Sequence, residues 1–169
     1  ASGVVRKGDA IKMLPSNKTG IVKAILTYEE ELDCASAGMA ITLTFDSDIE
    51  ASRGDICVHD SRGLIEGRKI DCTVVWMVNN PLNAGVTYDL KIGTRICSGK
   101  VSAFHSKLEL ENLTEQPTSC LSLNEIGKVS IDLDEVLVFD LYEKSRIFGG
   151  FIFIDRETNE TAGAGMISG

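Results

Sequence analysis

Cys57 and His59 stand two apart in Ile56-Cys57-Val58-His59, a spacing that puts both on one face of a strand. There a thiol and an imidazole can serve as nucleophile and base, or as two metal ligands. Either chemistry needs a third group, and no acid in the sequence converges on the pair; a small apolar thiol beside a half-exposed imidazole accounts for the pattern. His59 and His105 are the only histidines and no C-x-x-C occurs, so the structural zinc spacings are absent. Glu29-Glu30-Glu31 and the carboxylates from Asp132 to Glu135 read as solvated turns rather than acid–base pairs. No glycine-rich turn ends in Lys and Ser or Thr, so backbone N–H groups and a lysine are not arranged to cradle phosphates. Asn17-Lys18-Thr19-Gly20 begins like the guanine-reading Asn-Lys-x-Asp, but Gly20 replaces the carboxylate that would accept from the base. With no G-x-S-x-G elbow and no H-E-x-x-H either, the chain is assigned no catalytic, cofactor-binding or metal-ligating residue, and it is expected to bind neither GTP nor ATP.

The elements that would position side chains are strands. Met39, Ile41, Leu43 and Phe45 alternate with smaller residues, which predicts a half-buried strand over 39–45. The same period of two appears at Tyr88, Leu90 and Ile92 and at Val129, Ile131 and Leu133. Continuous apolar runs over 74–78 and 151–154 predict strands buried on both faces, with Trp76 in the core. Turn signals separate them: Lys7-Gly8-Asp9, Pro15-Ser16-Asn17, Arg53-Gly54-Asp55, Asn79-Asn80-Pro81 and Thr158-Asn159. The segment 108–114, the most helix-like, is short and alternating. Many short strands between polar turns predict an all-β chain, a sandwich or a barrel. Asp60-Ser61-Arg62-Gly63-Leu64-Ile65-Glu66-Gly67 is the best boundary, dividing the chain into 1–66 and 67–169, each with a net charge of −4.

The chain has 169 residues and a net charge of −8, which argues against nucleic acid as the main ligand because polyanions select basic faces. No apolar run is long enough to cross a membrane as a helix. Cys34, Cys57, Cys72, Cys97 and Cys120 are odd in number, irregularly spaced and mostly within apolar segments, which predicts buried reduced thiols and a cytoplasmic protein. Neither the first residues nor the cysteines suggest secretion, so the adhesion tripeptide Arg53-Gly54-Asp55 and the glycosylation triplets at Asn17, Asn112 and Asn159 read as turns.

The order Gly3-Val4-Val5-Arg6-Lys7-Gly8-Asp9 with Pro15, then Ala37-Gly38-Met39-Ala40-Ile41-Thr42-Leu43, then Ser52-Arg53-Gly54-Asp55 resembles the second domain of translation-factor GTPases such as elongation factor Tu. Val75-Trp76-Met77, Pro81-Leu82, Tyr88-Asp89-Leu90-Lys91, Leu123-Asn124-Glu125-Ile126-Gly127 and Phe139-Asp140-Leu141-Tyr142 are similar to the GTPase subunit of bacterial sulfate adenylyltransferase (ATP sulfurylase). Arg146, Gly149, the run from Phe151 through Asp155-Arg156 to Asn159, and Thr161-Ala162-Gly163-Ala164-Gly165-Met166-Ile167 resemble that family's closing third-domain motif. One departure is Leu141, where the family often has proline, so the turn there is expected to differ.

The resemblance implies two consecutive antiparallel β-barrels: residues 1–66 as a domain II-like barrel begun inside its motif, without its first strand, and residues 67–169 as a domain III-like Greek-key barrel. It implies a fragment whose parent carries GTP and Mg2+ on a separate G domain and pairs with a small catalytic subunit as a heterodimer. In that family the catalytic subunit joins ATP and sulfate into adenosine 5′-phosphosulfate and pyrophosphate, driven by GTP hydrolysis. The barrels would then be noncatalytic supports that transmit the state of the GTP site. Tyr142, Arg146 and Arg156, polar or amphipathic types within the most family-like stretch, are candidates for the partner interface. Their alternative role is local, with Tyr142 closing a barrel end and the arginines pairing with Asp140 and Asp155. Two rival readings are a tRNA-binding barrel pair of a translation factor, opposed by the acidity and the ending, and a generic β-barrel interaction module, which leaves the ordered motifs unexplained.

Overall fold

The structure, a computed structural model, describes residues 3–59 and 63–169. The boundary signal at Asp60-Ser61-Arg62 and the opening Ala1-Ser2 lie outside the described residues. The chain divides into two compact units, residues 1–63 and 64–169.

The first unit contains β1 (Val4–Arg6), β2 (Ala10–Leu14), β3 (Lys18–Leu26), β4 (Glu31–Leu32), β5 (Cys34–Ser36), β6 (Thr42–Phe45) and β7 (Ile56–His59). All pairings are antiparallel: β2 lies between β3 and β7, β3 also pairs with β4 and β6, and β1 pairs with β5. Two turns of like sequence shape it. Gly8 and Gly54 adopt φ of +90° and +100°, a region open to glycine at no steric cost. In each, the following aspartate reaches back to the residue three before it: Asp9 accepts from the Arg6 N–H at 2.7 Å and Asp55 from the Ser52 N–H at 2.8 Å. Ile11, Met13, Val22, Ile25 and Ala35 form the core, with Ile41, Leu43 and Phe45 partly buried against it. Among the described residues this sheet does not close on itself, so the expected first barrel is a half-barrel. The strand predicted over 39–45 is shorter than expected, because Met39 is 45% exposed and only Thr42–Phe45 pair with β3.

The second unit contains β8 (Ile65–Trp76), β9 (Leu82–Asn83), β10 (Thr87–Ile92), β11 (Arg95–Glu109), β12 (Thr114–Gln116), β13 (Cys120–Leu121), β14 (Ile126–Phe139), a single helical turn α1 (Arg146–Gly149), β15 (Gly150–Ile154) and β16 (Thr161–Ile167). The order β10-β15-β16-β8-β14-β11 returns to β10, closing a six-stranded antiparallel barrel. Ile65 and Glu66, assigned from sequence to the first part, belong to β8. Side chains of Trp76, Tyr88, Leu90, Ile131, Phe151 and Phe153 fill the interior. Trp76, Tyr88 and Phe153 meet edge to face at 5.4 to 5.8 Å between ring centres, and the indole N–H donates to the Asn80 carbonyl at 2.7 Å. Glycine matters where rings lie across β16: a Cβ on Gly165 would run into the Phe151 ring.

Residues 74–78 and 151–154 are not buried on both faces. Trp76 and Phe153 point inward, whereas Met77 is 50% exposed and Ile152 only half-buried, since closing a barrel turns one face of every strand outward. The cluster from Asp132 to Glu135 is no turn either; it lies within β14 at an irregularity against β8, where Arg68 donates to the Asp134 carbonyl. The 108–114 segment is the end of β11, a turn and the start of β12.

Candidate functional site

Tyr142, Arg146 and Arg156 are set by the segment around β15. The chain leaves β14 through a loop tied at several points: the Tyr142 N–H donates to the Ile167 carbonyl at 2.9 Å, the Lys144 and Ser145 N–H groups to the Leu141 carbonyl at 3.0 Å, and the Asp140 N–H to the Phe148 carbonyl at 3.1 Å. The Leu141 N–H donates to its neighbour's carboxylate, Asp140 Oδ1, at 2.9 Å, a bond that proline could not make. Ser145 caps α1 by accepting from the Phe148 N–H. Gly149 is buried with Tyr142 backbone where a Cβ would lie, and the Tyr142 ring covers Gly150. Tyr142 is therefore half-buried in a fixed loop, and Arg146 opens α1 exposed, without an ion-pair partner among the described residues.

Arg156 lies beyond the other end of β15. Four rises of about 3.3 Å put roughly 13 Å between Gly150 and Ile154, and Arg146 and Arg156 lie beyond opposite ends, so the structure does not gather Tyr142, Arg146 and Arg156 into one patch. Arg156 pairs with Asp89, Nε to Oδ1 at 3.3 Å, rather than with Asp155. The Asp155 carboxylate instead accepts from the Thr158 and Glu157 N–H groups, which hold it below its ordinary range. Arg156 borders a cleft of about 460 Å³ with Lys100, Asp132 and Asp134, of mixed charge.

Cys57 and His59 share the exposed face of β7, as their spacing predicts. Asp9 approaches His59 Nε2 at 3.8 Å, a carboxylate not foreseen from sequence, and the Val4 carbonyl lies 3.1 Å from the same nitrogen. Both neighbours are acceptors, so the site suits Nε2 as a donor to the Val4 carbonyl rather than as a base. Burial pushes the Cys57 thiol up, away from the thiolate a nucleophile needs. The adjoining cleft, about 460 Å³, is lined by apolar groups including Val5, Ala37, Met39 and Ile41. Among the described residues no group of three or more metal-ligating side chains is gathered.

A row missed by sequence reasoning crosses β8, β14 and β11: the Ser130 hydroxyl donates to Asp71 Oδ1 at 2.5 Å and stands 2.7 Å from His105 Nε2. Ser130 is 2% exposed with its proton committed to the carboxylate, so the row cross-links strands rather than presenting a nucleophile. Only strand register brings these residues together. All five cysteines are free, but Cys34 and Cys57 are exposed, correcting the expectation of buried thiols; both lie in short strands of the open first unit.

Sulfate adenylyltransferase subunit 1 of Aliarcobacter butzleri is 43% identical over 99% of this chain and 36% of its own length, and that of Psychromonas ingrahamii 41% identical over 100% and 36%. The same-named protein of Aeromonas hydrophila is 42% identical over 99% of the chain and 35% of its own length. The chain thus spans little more than a third of the curated relatives it matches. The GDP complex of Sup35 superposes with a TM-score of 0.85 at 16% identity, covering 99% of this chain and 41% of that one, a likeness of fold. No helix among the described residues is long and apolar enough to cross a membrane. The family described as GTP-eEF1A C-terminal domain-like matches residues 69–168, the closed barrel nearly end to end, and the chain belongs to it.

Proposed function

We propose that this chain is the noncatalytic β portion of a sulfate adenylyltransferase GTPase subunit, with residues 1–66 as its domain II-like unit and 67–169 as its domain III-like barrel. The observation that carries this reading is identity of 40 to 43% across nearly the whole chain to proteins named sulfate adenylyltransferase subunit 1. The sequence supplies no phosphate cradle and no base reader, so GTP and Mg2+ belong on a separate G domain of the parent and adenylyl transfer on a small catalytic subunit. In the cytoplasm, the parent would couple GTP hydrolysis to formation of adenosine 5′-phosphosulfate from ATP and sulfate. The closed barrel suits a support that carries a change at the GTP site without deforming, because a packed ring of strands moves as a body. Tyr142, Arg146 and Arg156 are the proposed contacts with the catalytic subunit or with the chain's own G domain. Membrane and nucleic acid are not partners in this reading.

Calorimetry of the chain with GTP and with ATP tests it. No saturable heat is expected; micromolar binding of either nucleotide overturns the noncatalytic reading.

A further inference from the structure

The hairpin of β11 and β12 ends in a four-residue turn, Leu110-Glu111-Asn112-Leu113, that leaves Leu110 57% and Leu113 73% exposed. Leu113 has φ of +55°. Besides glycines, four described residues take positive φ, and the other three, Asn17, Asn124 and Asn159, are asparagines, the type that tolerates this region. An asparagine is available one residue earlier, but Asn112 commits its side chain to Thr114, accepting from the Thr114 N–H at 3.1 Å and the Thr114 hydroxyl at 2.7 Å. Leu113 is therefore disfavoured twice at one position, by its backbone and by the water around it. Local strain held at an exposed site points to a use outside the fold.

We infer that Leu113 and Leu110 form an apolar anchor that seats in a pocket of the partner subunit, with a rim of lysine or arginine around that pocket. Glu109 and Glu111 flank Leu110, and among the described residues neither forms an ion pair. Their charge selects a basic rim. It also opposes two other occupants: a second copy would bring two acidic tips together on a chain of net charge −8, and nucleic acid would set phosphates against carboxylates. The turn is fixed by the Asn112 bonds, so little ordering cost is added on docking. The identity of the partner as the catalytic subunit rests on the proposed function above.

The test uses the full-length subunit that contains this chain, wild type and L113G, titrated with the catalytic subunit. Glycine removes the anchor and relieves the backbone at once, so L113G keeps or raises the melting temperature while pairing weakens about tenfold or more, the loss typical of a hot-spot side chain. E111K, which leaves the leucines in place, slows association at low salt. Pairing of L113G within twofold of wild type overturns the anchor while the functional assignment stands. Failure of the wild-type subunits to pair overturns the assignment, and the anchor's partner with it. A wild-type dimer that L113G abolishes makes the occupant a second copy and overturns the partner proposed.

Discussion

Arg156 and Asp89 join the turn after β15 to the middle of β10, Nε to Oδ1 at 3.3 Å, and the same carboxylate oxygen accepts from the Ser98 hydroxyl at 3.0 Å. One aspartate thus ties two strands, β10 and β11, to the turn after β15. The Arg156 side chain is 53% exposed, so solvent screens the pair. Arg156→Ala is expected to lower unfolding free energy by less than about 1 kcal/mol in denaturant titrations. Arg146 has no such anchor among the described residues, so in the full-length subunit of the proposed reading Arg146→Ala should weaken pairing with the catalytic subunit more than Arg156→Ala does. The reverse order would place the interface at the Arg156 end of β15.

Trp76 is fully buried among Tyr88 and Phe153, and its indole N–H is satisfied by Asn80. Its emission should be blue-shifted and resist iodide quenching. Trp76→Ala should cost about 3 to 5 kcal/mol, since it empties the centre of the aromatic trio and leaves the Asn80 carbonyl unpaired. Red-shifted emission with free quenching contradicts this placement.

Period-two patterns made strands of the closed barrel legible, since Tyr88, Leu90 and Ile92, and Val129, Ile131 and Leu133, all face inward, while closure into a barrel was implied only by the family resemblance. The Gly-Asp turns were legible for the same local reason, glycine at positive φ with an aspartate reaching back. Apolar runs misled at Met77 and Ile152, because composition does not say which face a closed sheet turns outward. Interactions between distant residues were not legible. Arg156 with Asp89, His59 with Asp9, and the row from Asp71 through Ser130 to His105 depend on register, which no local pattern records.

The thiols should separate by burial. Burial pushes Cys97 up to about 12 and Cys72 higher still; Cys34 and Cys57 are both exposed, with partial cover over the Cys57 thiol raising it as well. Because the thiolate is the reacting form, a disulfide reagent at pH 8 should label Cys34 first and Cys57 more slowly, reaching Cys72 and Cys97 only on unfolding. Rapid labelling of Cys72 in the native protein counts against the barrel.

Glu125 sits below the ordinary carboxylate range because Lys107 and the Ser122 N–H bond its charged form, and Lys107 is raised by Glu125. With the carboxyl lowered on folding, its contribution is full above the unfolded value of about 4.3 and fades as pH falls through the folded one. The raised lysine fades on the alkaline side, above about 10.4. The stability difference between wild type and Glu125→Gln should therefore be level between about pH 5 and 10 and shrink below pH 4. A difference that grows on acidification contradicts the pairing.

The most direct measurement replaces the matching segment of the Aliarcobacter butzleri relative, 43% identical, with this chain. The chimera is then assayed with that organism's catalytic subunit for adenosine 5′-phosphosulfate formed per GTP hydrolysed. If these β units belong to a sulfate adenylyltransferase GTPase subunit, synthesis should depend on GTP with a yield near that of the unaltered subunit. A folded chimera that hydrolyses GTP yet leaves synthesis at the level of the catalytic subunit alone would contradict the assignment.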